Sequence, residues 1–567
     1  MGYLKQMPDL REARVSVGEV QYGSEVAGVD MDGIGGSLLS ALTALLRHPN
    51  EMVRGAAELA LSEAAVVANA AKLAAGGEVA LPARDKRFAD RAWNENALLF
   101  LIAGGYLELT RNTRGVLGRI PLPPDTAAKA RFGADFILDA LSPANIPLVN
   151  PRAVKEAYDT GGRSIVKGLA SFADDLLRNG GRPRQVDRSA FTVGENLAAT
   201  PGRVVFSNEL MELIAYEPQT PKVHANPILC SPPWINKYYI MDLAPKRSFV
   251  EYAVQNGFMV FMISYRNPDA SMRNLGMDDY LQDGLLAALD QVQEITGADK
   301  VNLVALCLGG LLATLGLAYL TATGQSDRIG WATLTNTLID YGQPGELAMF
   351  TDESAIRRLE AKMNKKGYLE ASTMASTFDW MRGNDLVWNY VVDNWFLGKK
   401  PPVFDILAWN ADSTHMPARM HSQYLRSFYL NNLLVTPGAY QVLGVPLDLS
   451  KIDTPMYVLS AEADHIAPWT ASYRTTQLLG GPVRFVLSNS GHIAGIVNPP
   501  GNKKAEHWVG EKLPPDPEQW KAEADRHPGS WWEDWLAWAG EHSGAMVKPR
   551  PLPPGAPAPG RYVRDTA

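Results

Sequence analysis

Cysteine is almost absent: Cys230 and Cys307 are the only two in 567 residues. Two thiols cannot build a disulfide framework, and a single bridge does not suit a chain that reads as a cytosolic enzyme. Long apolar runs are lacking at the start as well. Positions 1–15 carry charges throughout, so no secretory signal is expected, and Met1-Gly2 is not followed by Ser or Thr at position 6, which argues against myristoylation. Positive charge is not in excess. Lys and Arg number 54 against 61 Asp and Glu, a net charge of −7, so no nucleic-acid partner is expected. Charge is lacking altogether from Val301 to Ser326, a run long enough to raise the question of a membrane span. Gly309 and Gly310 break that run, and Val301–Leu306 reads as a strand leading into a helix. A buried strand–turn–helix is equally apolar. No transmembrane segment is expected, and the location expected is cytoplasmic.

What is present is ordinary globular composition that supports a large core, with 46% hydrophobic and 20% charged residues. The length allows roughly two to four domains. Residues 1–203 read as a mostly helical N-terminal domain. Leu38–Arg47, Val53–Leu73 and Trp93–Leu109 place apolar residues at three-to-four spacing. From 204 to 567 short apolar runs alternate with helical ones. Pro227–Cys230, Met259–Ser264, Val301–Leu306, Met456–Leu459 and Val483–Leu487 read as strands, and Tyr280–Ile295 as a helix between two of them. This predicts an α/β fold with a parallel sheet covered on both sides. The stretch from about 340 to 440 interrupts the alternation and is rich in aromatics, among them Phe378, Trp380, Trp395, Tyr424 and Tyr429. It reads as a cap insertion. The Pro-rich stretch from 549 reads as an extended surface arm running to about 567.

Ala305-Leu306-Cys307-Leu308-Gly309-Gly310 lies between a strand and an apolar helix. That is the setting of a nucleophile elbow, with Ala for the first Gly of G-x-S-x-G and Cys for Ser. The helix N-terminus favours a thiolate, and the backbone N–H of Leu308 is placed to donate to an oxyanion. Taken alone, the hexapeptide also fits a small buried core cysteine. Two further positions weigh against that. Asp464 follows one predicted strand and His492 the next, in the order nucleophile, acid, histidine of the α/β-hydrolase fold. His465 is an alternative base, more suited to lining the entrance, and Glu462 an alternative acid. Cys230 has no elbow and reads as structural. A thiolate attacks a thioester readily, and thioester-to-thioester exchange keeps an acyl group activated for a second transfer.

These segments resemble polyhydroxyalkanoate synthases. The resemblance rests on Cys307 in its elbow, Ser460 to Trp469 (SAEADHIAPW), Ser490 to Pro500 (SGHIAGIVNPP), Pro232 to Leu243 (PPWINKYYIMDL) and Ser264 to Asp269 (SYRNPD). Phe191 to Gly202, Ser142-Pro143-Ala144-Asn145, Arg87-Phe88 with Trp93, Gly529-Ser530-Trp531-Trp532 and Gly560 to Arg564 extend it from about residue 85 to the end. The family is one of α/β-hydrolase-fold enzymes that polymerise (R)-3-hydroxyacyl-CoA and release CoA. The resemblance implies that Cys307 carries the growing acyl chain and that His492 activates it. Asp464 then supports His492 or assists the incoming 3-hydroxyl. The second role is preferred here, because an alcohol needs more help than a thiol. Trp234 stands where many relatives have cysteine and, with His465, is a candidate substrate-binding residue. The long N-terminal domain suggests a self-contained enzyme, and Leu308 in place of serine suggests short-chain substrates. A homodimer, a polyester granule surface as partner, and no metal or cofactor beyond the CoA thioester are the remaining expectations. The rival readings are a polyester depolymerase or acyl-CoA thioesterase of the same fold, and an inactive granule-binding protein.

Overall fold

The computed structural model describes residues 31–566, the side chains at 31, 32, 378 and 380 excepted. The reading of positions 1–15 lies outside the described residues. Among the described residues, single turns aside, six helices come first: α1 (Met31–Arg47), α2 (Pro49–Ala74), α3 (Ala97–Arg119), α4 (Pro124–Ala140), α5 (Pro151–Asp159) and α6 (Arg163–Arg178). α2 packs on α3 and α1 on α4. The segment read as one helix over Trp93–Leu109 is broken: Trp93 sits in a single turn, Ala92–Glu95, and Asn96 then caps α3 by accepting from the N–H groups of Leu98 and Leu99. An Asn at an N-cap competes with helix continuation, which periodicity alone does not register.

Ten strands form the main sheet: β1 (Gly202–Ser207), β2 (Met211–Tyr216), β3 (Ile228–Ser231), β4 (Val260–Tyr265), β5 (Val301–Leu306), β6 (Ile329–Thr335), β7 (Met456–Ala461), β8 (Val483–Ser488), β9 (Glu506–Val509) and β10 (Asp525–Pro528). Their spatial order is β1-β2-β4-β3-β5-β6-β7-β8-β9-β10. The six strands β4, β3, β5, β6, β7 and β8 are parallel. β1 and β2 at one end and β9 and β10 at the other run antiparallel. The sheet is therefore mixed rather than purely parallel. The charge-free run resolves into β5, a tight turn at Cys307 and helix α7 (Leu308–Ala322), nearly all of it buried. Among the described residues no helix is long and apolar enough to cross a membrane.

Alternate residues of β5 face opposite layers. Leu303 and Ala305 join one core cluster, with Trp234, Tyr341 and Tyr424, while Val304 and Leu306 join the other, with Trp331, Trp531 and Trp535. Cys307 packs against both.

Between β6 and β7 the chain leaves the sheet and builds a cap containing α8 (Glu353–Lys366), α9 (Ala371–Met381) and α10 (Ala418–Tyr424). The N-terminal helices seat against this cap. Trp395 donates its indole N–H to Asp175 at 2.9 Å, Arg152 pairs with Asp393 at 2.9 Å, and Lys129 and Arg182 pair with Asp352 and Asp379. The Pro-rich arm lies along β1: Val204 donates to Ala556 at 2.8 Å and Ala558 to Gly202 at 2.9 Å.

Candidate active site

The parallel register brings strand ends together. Leu306 and Leu459 both pair with Thr335, so β5, β6 and β7 finish side by side at the carboxyl edge. Cys307 follows β5 directly and adopts φ 52°, ψ −116°. A non-glycine residue there is strained by about 1–3 kcal/mol, a conformation that persists only when its surroundings enforce it. They do so closely. Cys307 donates its N–H to Thr335 at 2.9 Å. A Cβ on Gly309 would collide with the carbonyl oxygen of Ser231 and lie 2.6 Å from that of Pro232; one on Gly310 would strike Thr337. The two glycines of the motif are thus required by close backbone approach. Leu308 opens α7, so its N–H has no partner within the helix and points with the helix dipole toward the nucleophile's surroundings.

Asp464 and His492 stand on the loops after β7 and β8. The imidazole Nδ1 and Asp464 Oδ2 are 2.6 Å apart, both side chains being almost fully buried. Asp464 Oδ1 accepts from the backbone N–H groups of Ile466 and Ala467, each at 2.9 Å. Burial alone would depress the His492 pKa; the Asp464 carboxylate and the Cys307 side chain override it and hold the ring well above the ordinary imidazole range. Nδ1 is committed to Asp464, which leaves Nε2 for Cys307. Such an arrangement can take a proton from a thiol and return it to a leaving group.

The alternatives fall elsewhere. Glu462 is exposed and pairs with Lys521. His465 is half-buried and does not share the Asp464 bond; burial and the charge of Arg382 hold its ring below the usual range. Cys230 is fully buried in β3, where burial pushes its thiol far up. Trp234 is buried in the core cluster against which Cys307 packs, its ring 6.0 Å from that of Tyr280 and 6.1 Å from that of Tyr424, with its N–H unpaired. Among the described residues no group of three or more His, Cys, Asp or Glu is disposed to hold a metal ion.

Motif reading missed two features. Tyr341, Tyr424 and Tyr429 form a cluster, with ring centroids 4.9 to 6.1 Å apart. Burial raises all three phenols, and the Cys307 side chain adds to the shift in each. They are neutral donors gathered on the cap side of the thiol. Their spacing in sequence follows no pattern that could have revealed them. The second feature is Asn336, whose side-chain amide donates to the carbonyl oxygen of His492.

The chain is similar to known proteins over most of its length. Residues 84–253 match the model described as the N-terminus of poly-beta-hydroxybutyrate polymerase (PhaC), and residues 233–499 match the alpha/beta hydrolase fold. Poly(3-hydroxyalkanoate) polymerase 2 of Ectopseudomonas oleovorans is 46% identical over 85% of this chain and 86% of its own. The poly(3-hydroxyalkanoate) polymerase subunit PhaC of Cupriavidus necator is 43% identical over 86% and 84%. The poly(3-hydroxyalkanoate) polymerase of Methylorubrum extorquens is 41% identical over 92% and 88%. With identity of this order across most of both partners, and an α/β-hydrolase sheet, the chain belongs to the poly(3-hydroxyalkanoate) polymerase family of enzymes.

Proposed function

We propose that the protein polymerises (R)-3-hydroxyacyl-CoA, short-chain monomers foremost, through an acyl-Cys307 intermediate with release of CoA. The observation that carries this reading is the Asp464–His492 pair beside a cysteine on the elbow. His492 Nε2 takes the Cys307 proton and the thiolate attacks the thioester carbonyl. The Leu308 N–H faces the oxyanion. The carbonyl–sulfur bond to CoA breaks, and His492 returns the proton to the departing thiolate. A second monomer's 3-hydroxyl then gives its proton to His492 and attacks the acyl group, forming an ester and freeing Cys307. Renewed attack of Cys307 on the CoA thioester of the lengthened chain releases the next CoA. Every bond broken is matched by one formed, so the scheme calls for no metal or cofactor.

Water must be kept from the acyl-cysteine, or the enzyme becomes a hydrolase. The cap aromatics Tyr341, Tyr424 and Tyr429, with Trp234 beneath them, support a dry site. Trp234 and His465 remain the proposed substrate contacts, the first at the acyl group and the second toward the entrance. The product is apolar. Tyr158, Val166, Leu169 and Leu177 project from the N-terminal helices into solvent, and Leu148 from the turn before α5, which supports adsorption to a cytoplasmic polyester granule. A homodimer is the assembly proposed, read by sedimentation velocity with and without substrate.

Incubation with 3-hydroxybutyryl-CoA tests the activity. Free thiol together with insoluble polymer supports it. Thiol with only soluble hydroxy acid means a thioesterase, and no thiol at all removes the proposal.

A further inference from the structure

Asn336 is the first residue past β6 and has φ 45°, in the left-handed region. It is fully buried. Asparagine tolerates this conformation better than most residues, yet the position still costs free energy that something must offset. Its N–H donates to Leu459 at 2.8 Å, which seats it on the end of β7. Its side-chain Nδ2 donates to the carbonyl oxygen of His492, and its Oδ1 has no partner. β6 and β8 are two strand spacings apart, roughly 9–10 Å. The His492 loop must therefore fold back over the end of β7 to come within reach of this amide.

The neighbours of Asn336 hold the other half of the site. Thr335 accepts from the Cys307 N–H at 2.9 Å, and its hydroxyl donates to Ala305 at 3.2 Å. The Thr337 hydroxyl lies 3.2 Å from the Cys307 carbonyl oxygen. Three consecutive residues thus grip the main chain of the nucleophile with a pair of contacts and that of the histidine with one. The Asp464 bond fixes the direction of the imidazole ring. It does not fix how far the ring stands from the thiol, because Asp464 belongs to β7's loop and not to the elbow.

We propose that Asn336 is a positioning residue for the reaction, its amide setting the main chain of His492 at the distance from which the imidazole reaches the Cys307 proton. This rests on the reading of Cys307 and His492 as the reacting pair. The unpaired Oδ1 fits the assignment: the side chain is kept for the one bond its amide makes, although a smaller residue would leave no buried polar atom unsatisfied.

Asn336→Gly tests it, since glycine accepts the left-handed backbone and removes only the amide. The variant should lose about tenfold in kcat with 3-hydroxybutyryl-CoA, equivalent to about 1.4 kcal/mol, with KM within about twofold. The pH profile of Cys307 alkylation by iodoacetamide should move toward that of His492→Ala. Asn336→Asp, nearly the same shape without the donor, should behave alike, and serves in its place if the glycine variant does not fold. A folded variant with unchanged kcat and alkylation profile overturns the proposal, as does a loss confined to the unfolding temperature. Alkylation needs no acyl-CoA. A shifted profile in a protein that makes no polymer would therefore remove the proposed function and leave the role of Asn336 standing.

Discussion

Asp464 has both oxygens engaged: Oδ2 meets His492 Nδ1 at 2.6 Å while Oδ1 takes two backbone N–H groups at 2.9 Å. Of the two roles open to this carboxylate, base for the incoming hydroxyl and anchor of the histidine tautomer, the bond to Nδ1 fits the second. Asp464→Asn should then depress acylation and extension together, by roughly 10⁴-fold. Single-turnover CoA release decides the matter. A burst of one CoA per site followed by silence would restore the hydroxyl-activating role.

The two cysteines should separate cleanly. Cys307→Ala should release no CoA, and Cys307→Ser should lose on the order of 10²-fold in turnover, because the alcohol is the poorer nucleophile and its ester the poorer acyl donor. Cys230→Ala should keep its turnover and lose about 1 kcal/mol in urea unfolding, the cost of a small cavity in β3. An inactive Cys230→Ala beside an active Cys307→Ala reverses the assignment.

His492 should leave a mark on stability. Its pKa is raised in the folded state by Asp464 and Cys307, against burial. A group raised in this way contributes stability that is complete below its unfolded value of about 6.5 and disappears as pH climbs through the folded one. The gap in unfolding free energy between wild type and His492→Gln should be widest near pH 6 and shrink toward alkaline pH. A gap independent of pH means that the imidazolium is not favoured in the fold.

Granule adsorption should depend on the outer face of α6. Val166, Leu169 and Leu177 are all well exposed there, Leu177 at 82%. Leu169→Asp with Leu177→Asp should leave thiol release from soluble substrate intact and shift the enzyme from the pelleted polymer to the supernatant. Equal partitioning of wild type and variant refutes the role of this face.

Much of the site could be read from the chain because its chemistry is local. A strained turn needs small neighbours, so Cys307 announces itself through Gly309 and Gly310. Asp464 and His492 follow runs apolar enough to be strands. β6 escaped notice because Ile329-Gly330-Trp331-Ala332-Thr333-Leu334-Thr335 mixes polar and apolar residues, its threonine hydroxyls being satisfied only by groups distant in sequence, Thr333 by Trp535 of a covering helix at 3.0 Å and Thr335 by Ala305 of β5 at 3.2 Å. Asn336 escaped for a related reason. Its partner lies 156 positions downstream, and no spacing rule links a residue to a carbonyl at that range. The tyrosines that gather near Cys307 come from Tyr341 and from the far end of the cap, brought together only by the return of the chain.

The arm that lies along β1 has a consequence for the birth of the molecule. β1 and β2 leave the ribosome early among the sheet's strands, yet the residues that cover them, including Arg561 and Tyr562 bound through Glu212, come about 350 positions later. Throughout that interval the nascent sheet carries an unprotected border of peptide groups, free to pair with the same border on a neighbouring chain. Synthesis of the final segment therefore closes the window for such mispairing, and truncation before residue 556 should be read first as a hazard of association between chains and only second as a loss of activity.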